Sequence, residues 1–308
     1  VTEAPAAIQV RGLSKTFGGP GRRRTRALDD VTLEIRRGEA FGLVGPNGAG
    51  KTTLLSCLLG FLRPDAGSIT IDGKAVDDLS IRARTGYQPE RLGFDRFESG
   101  SSFLAMHWRL SGGAIAAERE AVEDAAAGVG LEAGALRRKL RTYSRGMLQR
   151  IGMAQALLRR PDLLFLDEPA SGIDPAGVRT IRRRILEARE RGATIVVNSH
   201  QLPEVERVCD RVAFLDRGRI RSIENLRGAG SVRQARIRVR PEDTPRAREI
   251  LEGAGLPAEG AENGHLRLRV ESEEALAGAA RLLCEAGIPL YELVSAADLE
   301  ALFEEENP

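Results

Sequence analysis

Residues 45–53 read GPNGAGKTT, and no other part of the chain limits its fold so tightly. The stretch matches G-x-x-x-x-G-K-[ST], with the apolar run AFGLV before it and LLSCLLG after it. A strand leading in and a helix leading out make that pattern a phosphate loop. Glycine lets the backbone wrap so that its amides point inward, and the N-terminus of the next helix adds positive potential. Lys51 would reach the β- and γ-phosphates of a nucleoside triphosphate, and the Thr52 hydroxyl would ligate magnesium. The expected phosphate-binding set is Gly45, Pro46, Asn47, Gly48, Ala49, Gly50, Lys51, Thr52 and Thr53. A tight turn would account for the glycines alone, but not for the lysine, the threonine and both flanks.

Such a loop needs an acid at the end of a neighbouring strand. The run LLFLDEP supplies one: Asp167 would hold magnesium, commonly through water, and Glu168 would polarise the attacking water. A second apolar run, VVNSH, ends in His200, which would face the γ-phosphate. His107 and His265 have no such setting and read as ordinary.

With 308 residues the chain suggests two domains, at roughly 150 residues each. Apolar runs alternate with helical patterns, as in an open α/β sheet whose parallel strands are buried on both faces. Residues 94–160 read as mostly helical, broken at Gly112-Gly113 and Gly134, and hairpins are expected at Asp72-Gly73 and Arg217-Gly218. After Leu226, RGAGS reads as a linker. Beyond it a β-α-β-α-β pattern and a terminal acidic helix, AADLEALFEEE, form a second domain without a catalytic cluster. A net charge of +2 and 4% aromatic residues give no base-stacking surface, so no nucleic acid is expected as partner. The 3 cysteines are far apart, which fits a reducing compartment and no zinc site. The start VTEAPAAIQV lacks a basic segment, and no apolar run approaches the roughly 18 residues of a membrane span, so a soluble chain is expected.

One segment carries a puzzle. In TYSRGMLQRIGMAQALL, Ser144 is a good N-cap, and Leu148, Ile151, Ala154, Leu157 and Leu158 form a helical stripe. Gly146 nevertheless stands in the first turn, where glycine weakens a helix. Something is expected to approach that backbone closely.

Taken together, residues 8–225 resemble the nucleotide-binding subunit of ATP-binding-cassette (ABC) transporters. GPNGAGKTT is similar to the Walker A motif, LLFLDEP to Walker B, SGIDP to the D-loop with Asp174 at its core, and NSHQLPEVERVCDRV to the switch-histidine region. YSRGMLQR stands where the family has its L-S-G-G-Q signature. The resemblance implies a P-loop NTPase cassette, residues 1–228, with an inserted helical subdomain at about 91–160 and a small α/β accessory domain at 229–308. It implies an ATPase that takes Mg-ATP, works in a head-to-tail nucleotide-sandwich homodimer or heterodimer, and drives a separate transmembrane permease from the cytoplasmic face, in the export direction. Phe17 is then the adenine-stacking ring, and Ser144 and Gly146 contact the γ-phosphate on the partner's Walker A loop. Glu90 stands where the family has a glutamine touching magnesium or water.

Several positions depart from the family pattern. Tyr143, Arg145 and Met147 replace the signature's leucine, first glycine and glutamine; Arg145 is expected to point to solvent, leaving the contact to the serine. Residues 19–26, GPGRRRTR, add a basic loop, expected to be a solvated charge run. Two other functions carry some of the same motifs: a cassette ATPase acting on ribosomes or nucleic acid, and a non-hydrolysing regulatory subunit. The first usually carries a second cassette or basic surfaces. Intact Glu168 and His200 argue against the second.

Overall fold

A computed structural model describes residues 6–18, 24–95, 97–226, 233–262, 264–270 and 273–297. Most of the basic loop at 19–26 therefore lies outside the described residues. The chain divides into two compact units, Val1–Ile223 and Glu224–Pro308.

The first unit opens with β1 (Ala6–Phe17) and β2 (Thr25–Arg36), then β3 (Ala40–Val44), α1 (Lys51–Leu58), β4 (Ala66–Ile71), β5 (Lys74–Ala75), α2 (Leu79–Arg82) and β6 (Thr85–Gln88). A helical region follows: α3 (Gly100–Leu110), α4 (Glu118–Gly128), α5 (Ala133–Leu136) and α6 (Arg145–Leu157). The unit closes with β7 (Leu163–Asp167), α7 (Pro175–Glu190), β8 (Thr194–Asn198), α8 (Leu202–Val208), β9 (Arg211–Asp216) and β10 (Arg219–Asn225).

Two sheets result. One is antiparallel, in the order β2-β1-β4-β5; the other runs β10-β9-β3-β8-β7-β6, with β9, β3, β8, β7 and β6 parallel. β3, β7 and β8 are buried at every residue, which explains their unbroken apolar runs. A single core joins α1, through Leu54, Leu55 and Leu58, to both sheets. The Asp72-Gly73 and Arg217-Gly218 pairs both have positive φ, the backbone of two-residue hairpin turns.

The structure corrects the sequence reading at several elements. β6 has no apolar run to announce it, since Thr85-Gly86-Tyr87-Gln88 alternates half-buried with buried residues at the sheet edge. Gly86 is required there because a Cβ would lie 2.1 Å from the Ala156 carbonyl of α6. The break expected at Gly112-Gly113 stands between α3 and α4, with Gly112 at φ 80; the one expected at Gly134 falls earlier, where Gly130 (φ 74) follows α4, and Gly134 lies inside α5. Tyr143 is buried, and its hydroxyl donates to the Ala135 carbonyl at 2.8 Å.

The second unit contains β11 (Arg233–Arg238), α9 (Thr244–Gly253), β12 (Ala258–Glu262), β13 (His265–Val270), α10 (Glu273–Glu285) and β14 (Glu292–Ala297). Its sheet, β12-β13-β11-β14, is antiparallel throughout, so the expected β-α-β-α-β pattern is in fact β-α-β-β-α-β. β12, from AEGAE, carries too little apolar residue to read as a strand. Ala296 and Ala297 end β14 instead of opening a helix; the rest of the expected terminal helix lies outside the described residues.

Candidate functional site

The strand order places β8 between β3 and β7, and the register aligns Leu43 and Asp167 with Asn198. The carboxyl ends of these strands therefore bring Gly45, Asp167 and His200 to one edge of the sheet, where open α/β sheets bind ligands.

The loop after β3 is held by close approach. A Cβ on Gly50 (φ 105) would lie 2.3 Å from the Ala27 carbonyl, and one on Gly45 would lie 2.0 Å from the Leu215 carbonyl. α1 starts at Gly50 with no side-chain cap and no acid in its first turn, so its leading amides suit an anion. Lys51 is 7% exposed, and its ammonium donates to the carbonyls of Gly45 (2.6 Å) and Pro46 (3.1 Å). Burial lowers the Lys51 pKa, against the opposing fields of Glu168 and Asp167. Thr52 is exposed beside it, and Phe17, at the end of β1, is 44% exposed.

Asp167 is 4% exposed. Burial pushes its carboxyl pKa up; the Asn198 amide, donating to Oδ1 at 2.5 Å, works against this, and the charges of Glu168 and Glu90 add to it. Glu90, exposed just beyond β6, is thus electrostatically part of the site. Buried carboxylate crowded by like charge is a setting for a divalent cation, and the oxygen donors of Thr52, Asp167 and Glu90 suit magnesium. Among the described residues no group of three His, Cys, Asp or Glu side chains could hold a metal alone. Magnesium fits this, since it keeps waters and phosphate oxygens in its shell.

Glu168 adopts φ 50, a left-handed conformation that costs a non-glycine residue about 1–3 kcal/mol and persists only where its surroundings enforce it. Its amide donates to the Asn198 carbonyl at 2.8 Å. Its Oε1 lies 2.7 Å from His200 Nδ1 and accepts from the His200 amide at 2.9 Å, while the Ser199 hydroxyl donates to Oε2 at 3.3 Å. Two residues read separately in the sequence are therefore one hydrogen-bonded pair. Asn198 and Ser199 were missed; Asn198 lies in register with Asp167, and the sequence marks the two residues only as those between the apolar run and His200.

Ser144 caps α6, its hydroxyl accepting from the Met147 amide at 3.2 Å. Among the described residues nothing outside the helix demands glycine at 146: a Cβ there would stand in ordinary contact with the Gly172 carbonyl, at 3.5 Å, and the Ile173 Cα, at 3.8 Å. Arg145 corrects an expectation, because it does not simply point to solvent. Its guanidinium donates to the Ser171 hydroxyl at 2.6 Å, and its stem lies so close that a Cβ on Gly172 would sit 2.5 Å from Cδ. Asp174 accepts from Arg150 at 2.7 Å. The segment after Glu168 is therefore tied to α6 at both ends.

A phosphate loop leading into a helix, with an acid and a histidine on adjacent strand ends, defines a P-loop nucleoside triphosphatase of the cassette type. The sequence matches the ABC transporter family over residues 28–171. An uncharacterized ABC transporter ATP-binding protein of Nostoc sp. is 41% identical, over 70% of this chain and 65% of its own length. YdbJ of Bacillus subtilis, an uncharacterized ABC transporter ATP-binding protein, is 34% identical over 88% of this chain and 85% of its length. The chain thus spans about two thirds of the first of these and most of the second. The daunorubicin/doxorubicin resistance ATP-binding protein DrrA of Streptomyces peucetius (35% identity, 71% and 65% covered) and a methionine import ATP-binding protein of Carboxydothermus hydrogenoformans (34%, 69% and 64%) are similar to nearly the same degree. The dimeric structure of MJ0796, a bacterial ABC transporter cassette, superposes with a TM-score of 0.67 at 25% identity, over 72% of this chain and 99% of that one. The chain belongs to the ATP-binding proteins of the ABC transporter family.

Proposed function

We propose that this chain is the ATPase subunit of an ABC transporter, with residues 1–228 as the ATPase domain, 91–160 as its helical subdomain and 229–308 as an accessory domain. The observation that carries this reading is the meeting of Lys51, Asp167, Glu168 and His200 at one sheet edge, while Ser144 caps a separate helix, α6, with Gly146 in its first turn. A second subunit, docked head to tail, gives Ser144 and Gly146 a phosphate to bind. One chain holds half of each site.

In the hydrolytic step Lys51 exchanges the loop carbonyls for the β- and γ-phosphates, and the α1 amides hold the same oxygens. Glu168 takes the proton of the attacking water, oriented by its bonds to His200 and Ser199. His200 stabilises the γ-phosphate. Asp167, Thr52 and Glu90 would hold magnesium, which would supply charge neutralisation for the transferred phosphoryl group. Phe17 stacks on adenine, and Asp174 faces the partner.

No helix among the described residues is long and apolar enough to cross a membrane. The transport path is assigned to a separate permease, with this chain bound at its cytoplasmic face. Export is the direction proposed. DrrA, named for drug resistance, supports it, and the equally similar methionine importer stands on the other side. Tagging the chain, extracting native membranes in mild detergent and identifying what co-purifies tests the transport role. A stoichiometric polytopic membrane protein is expected. Ribosomal proteins or nucleic acid in its place would overturn the reading.

A further inference from the structure

Two glutamines are buried beside the catalytic carboxylate and touch no expected ligand position. Gln88, at the end of β6, is 0% exposed and Gln149, on α6, is 4% exposed. The Gln88 amide donates to Gln149 Oε1 at 3.1 Å and to its carbonyl at 3.4 Å. Gln149 Nε2 in turn donates to the main-chain carbonyl of Glu168 at 3.2 Å. That carbonyl also accepts from the Ser171 amide at 3.1 Å, so Gln149 is its bond from outside the segment. Glu168 is held at φ 50, a backbone conformation that persists only where its surroundings enforce it, and its carboxylate meets His200 in that conformation. β6 and α6 also pack backbone to backbone at Gly86, where a Cβ would lie 2.1 Å from the Ala156 carbonyl.

We propose that Gln149 is a positioning residue that fixes the backbone of Glu168, and that its pairing with Gln88 makes the carboxylate's position depend on the end of β6, two residues before Glu90. The inference rests on Glu168 being the general base. Gln88 Oε1 has no partner, so the donated bonds carry the link: neither buried Nε2 can shift without leaving a donor unpaired.

The test uses the full chain, measuring kcat and KM for Mg-ATP hydrolysis, equilibrium affinity for a fluorescent ATP analogue, and the melting temperature. Gln149→Leu is expected to lower kcat on the order of 10- to 100-fold, the effect of a misplacement of about 1 Å, with analogue affinity held within about twofold. Gln88→Leu leaves the Gln149–Glu168 bond in place, so its loss of kcat is smaller, at the same affinity. Should Gln149→Leu not fold, Gln149→Asn, one methylene too short, is read in its place with the same selective loss expected. Wild-type kcat in the Gln149 variant, or a kcat loss matched by equal losses of affinity and melting temperature, overturns the inference. Glu168→Gln is the control for the base itself. If that variant hydrolyses ATP at the wild-type rate, the assignment of Glu168 fails; if it is inactive while Gln149→Leu is not, only the positioning role fails.

Discussion

Asp167 shows how the site stores an electrostatic demand. Its folded-state carboxyl, raised by burial, keeps its proton to higher pH than an unfolded aspartate does. The unfolded chain releases that proton first, so Asp167 costs stability as pH rises through the carboxylate range. Asp167→Asn removes that cost and keeps an oxygen for the Asn198 amide. It should melt higher than wild type without nucleotide at neutral pH, by the degree or more that a thermal melt resolves. The gap should shrink at low pH, and Mg-ATP hydrolysis should be lost. Thermal melts at acid and neutral pH check it; equal melting temperatures at both would contradict it. At this scale the sequence singled out Lys51, Asp167, Glu168 and His200, because each follows an apolar run or lies in a fixed pattern, and the fold brings them together. It did not reveal that Glu168 is left-handed or bonded to His200, since both follow from the pairing of β7 with β8, far apart in the chain.

Among the elements, α6 has the most consequences. Its N-cap serine explains its start, and Arg145, Gln149 and Arg150 attach it to Ser171, the Glu168 carbonyl and Asp174. The cap was legible because N-capping is local chemistry. The attachments were not, because long polar side chains choose partners brought near by the fold. β6 and β12 were unread for a related reason: an edge strand with few apolar residues has no periodicity to show. Ser144→Arg separates the roles of α6. The substitution fills the space above Gly146 and should reduce hydrolysis on the order of 100-fold or more, the scale for removing a donor to transition-state charge. Nucleotide affinity of the monomer should stay within about threefold. Loss of both, read by ATPase assay and equilibrium titration, would place Ser144 in the chain's own nucleotide site.

At the scale of the whole molecule, the sequence marked a large P-loop unit followed by a smaller one. It did not show that the smaller unit has four antiparallel strands. In the proposed function the phosphate loop and Glu168 belong to one half-site, while Ser144 and Gly146, where no described residue outside the helix crowds a Cβ, belong to the other. That reading requires two subunits and two nucleotides to close the site. The most direct test is the molecular mass of Glu168→Gln by size exclusion with light scattering, with and without Mg-ATP. The variant binds but does not hydrolyse, so the account predicts a dimer with Mg-ATP and a monomer without. A monomer that retains bound ATP would contradict it.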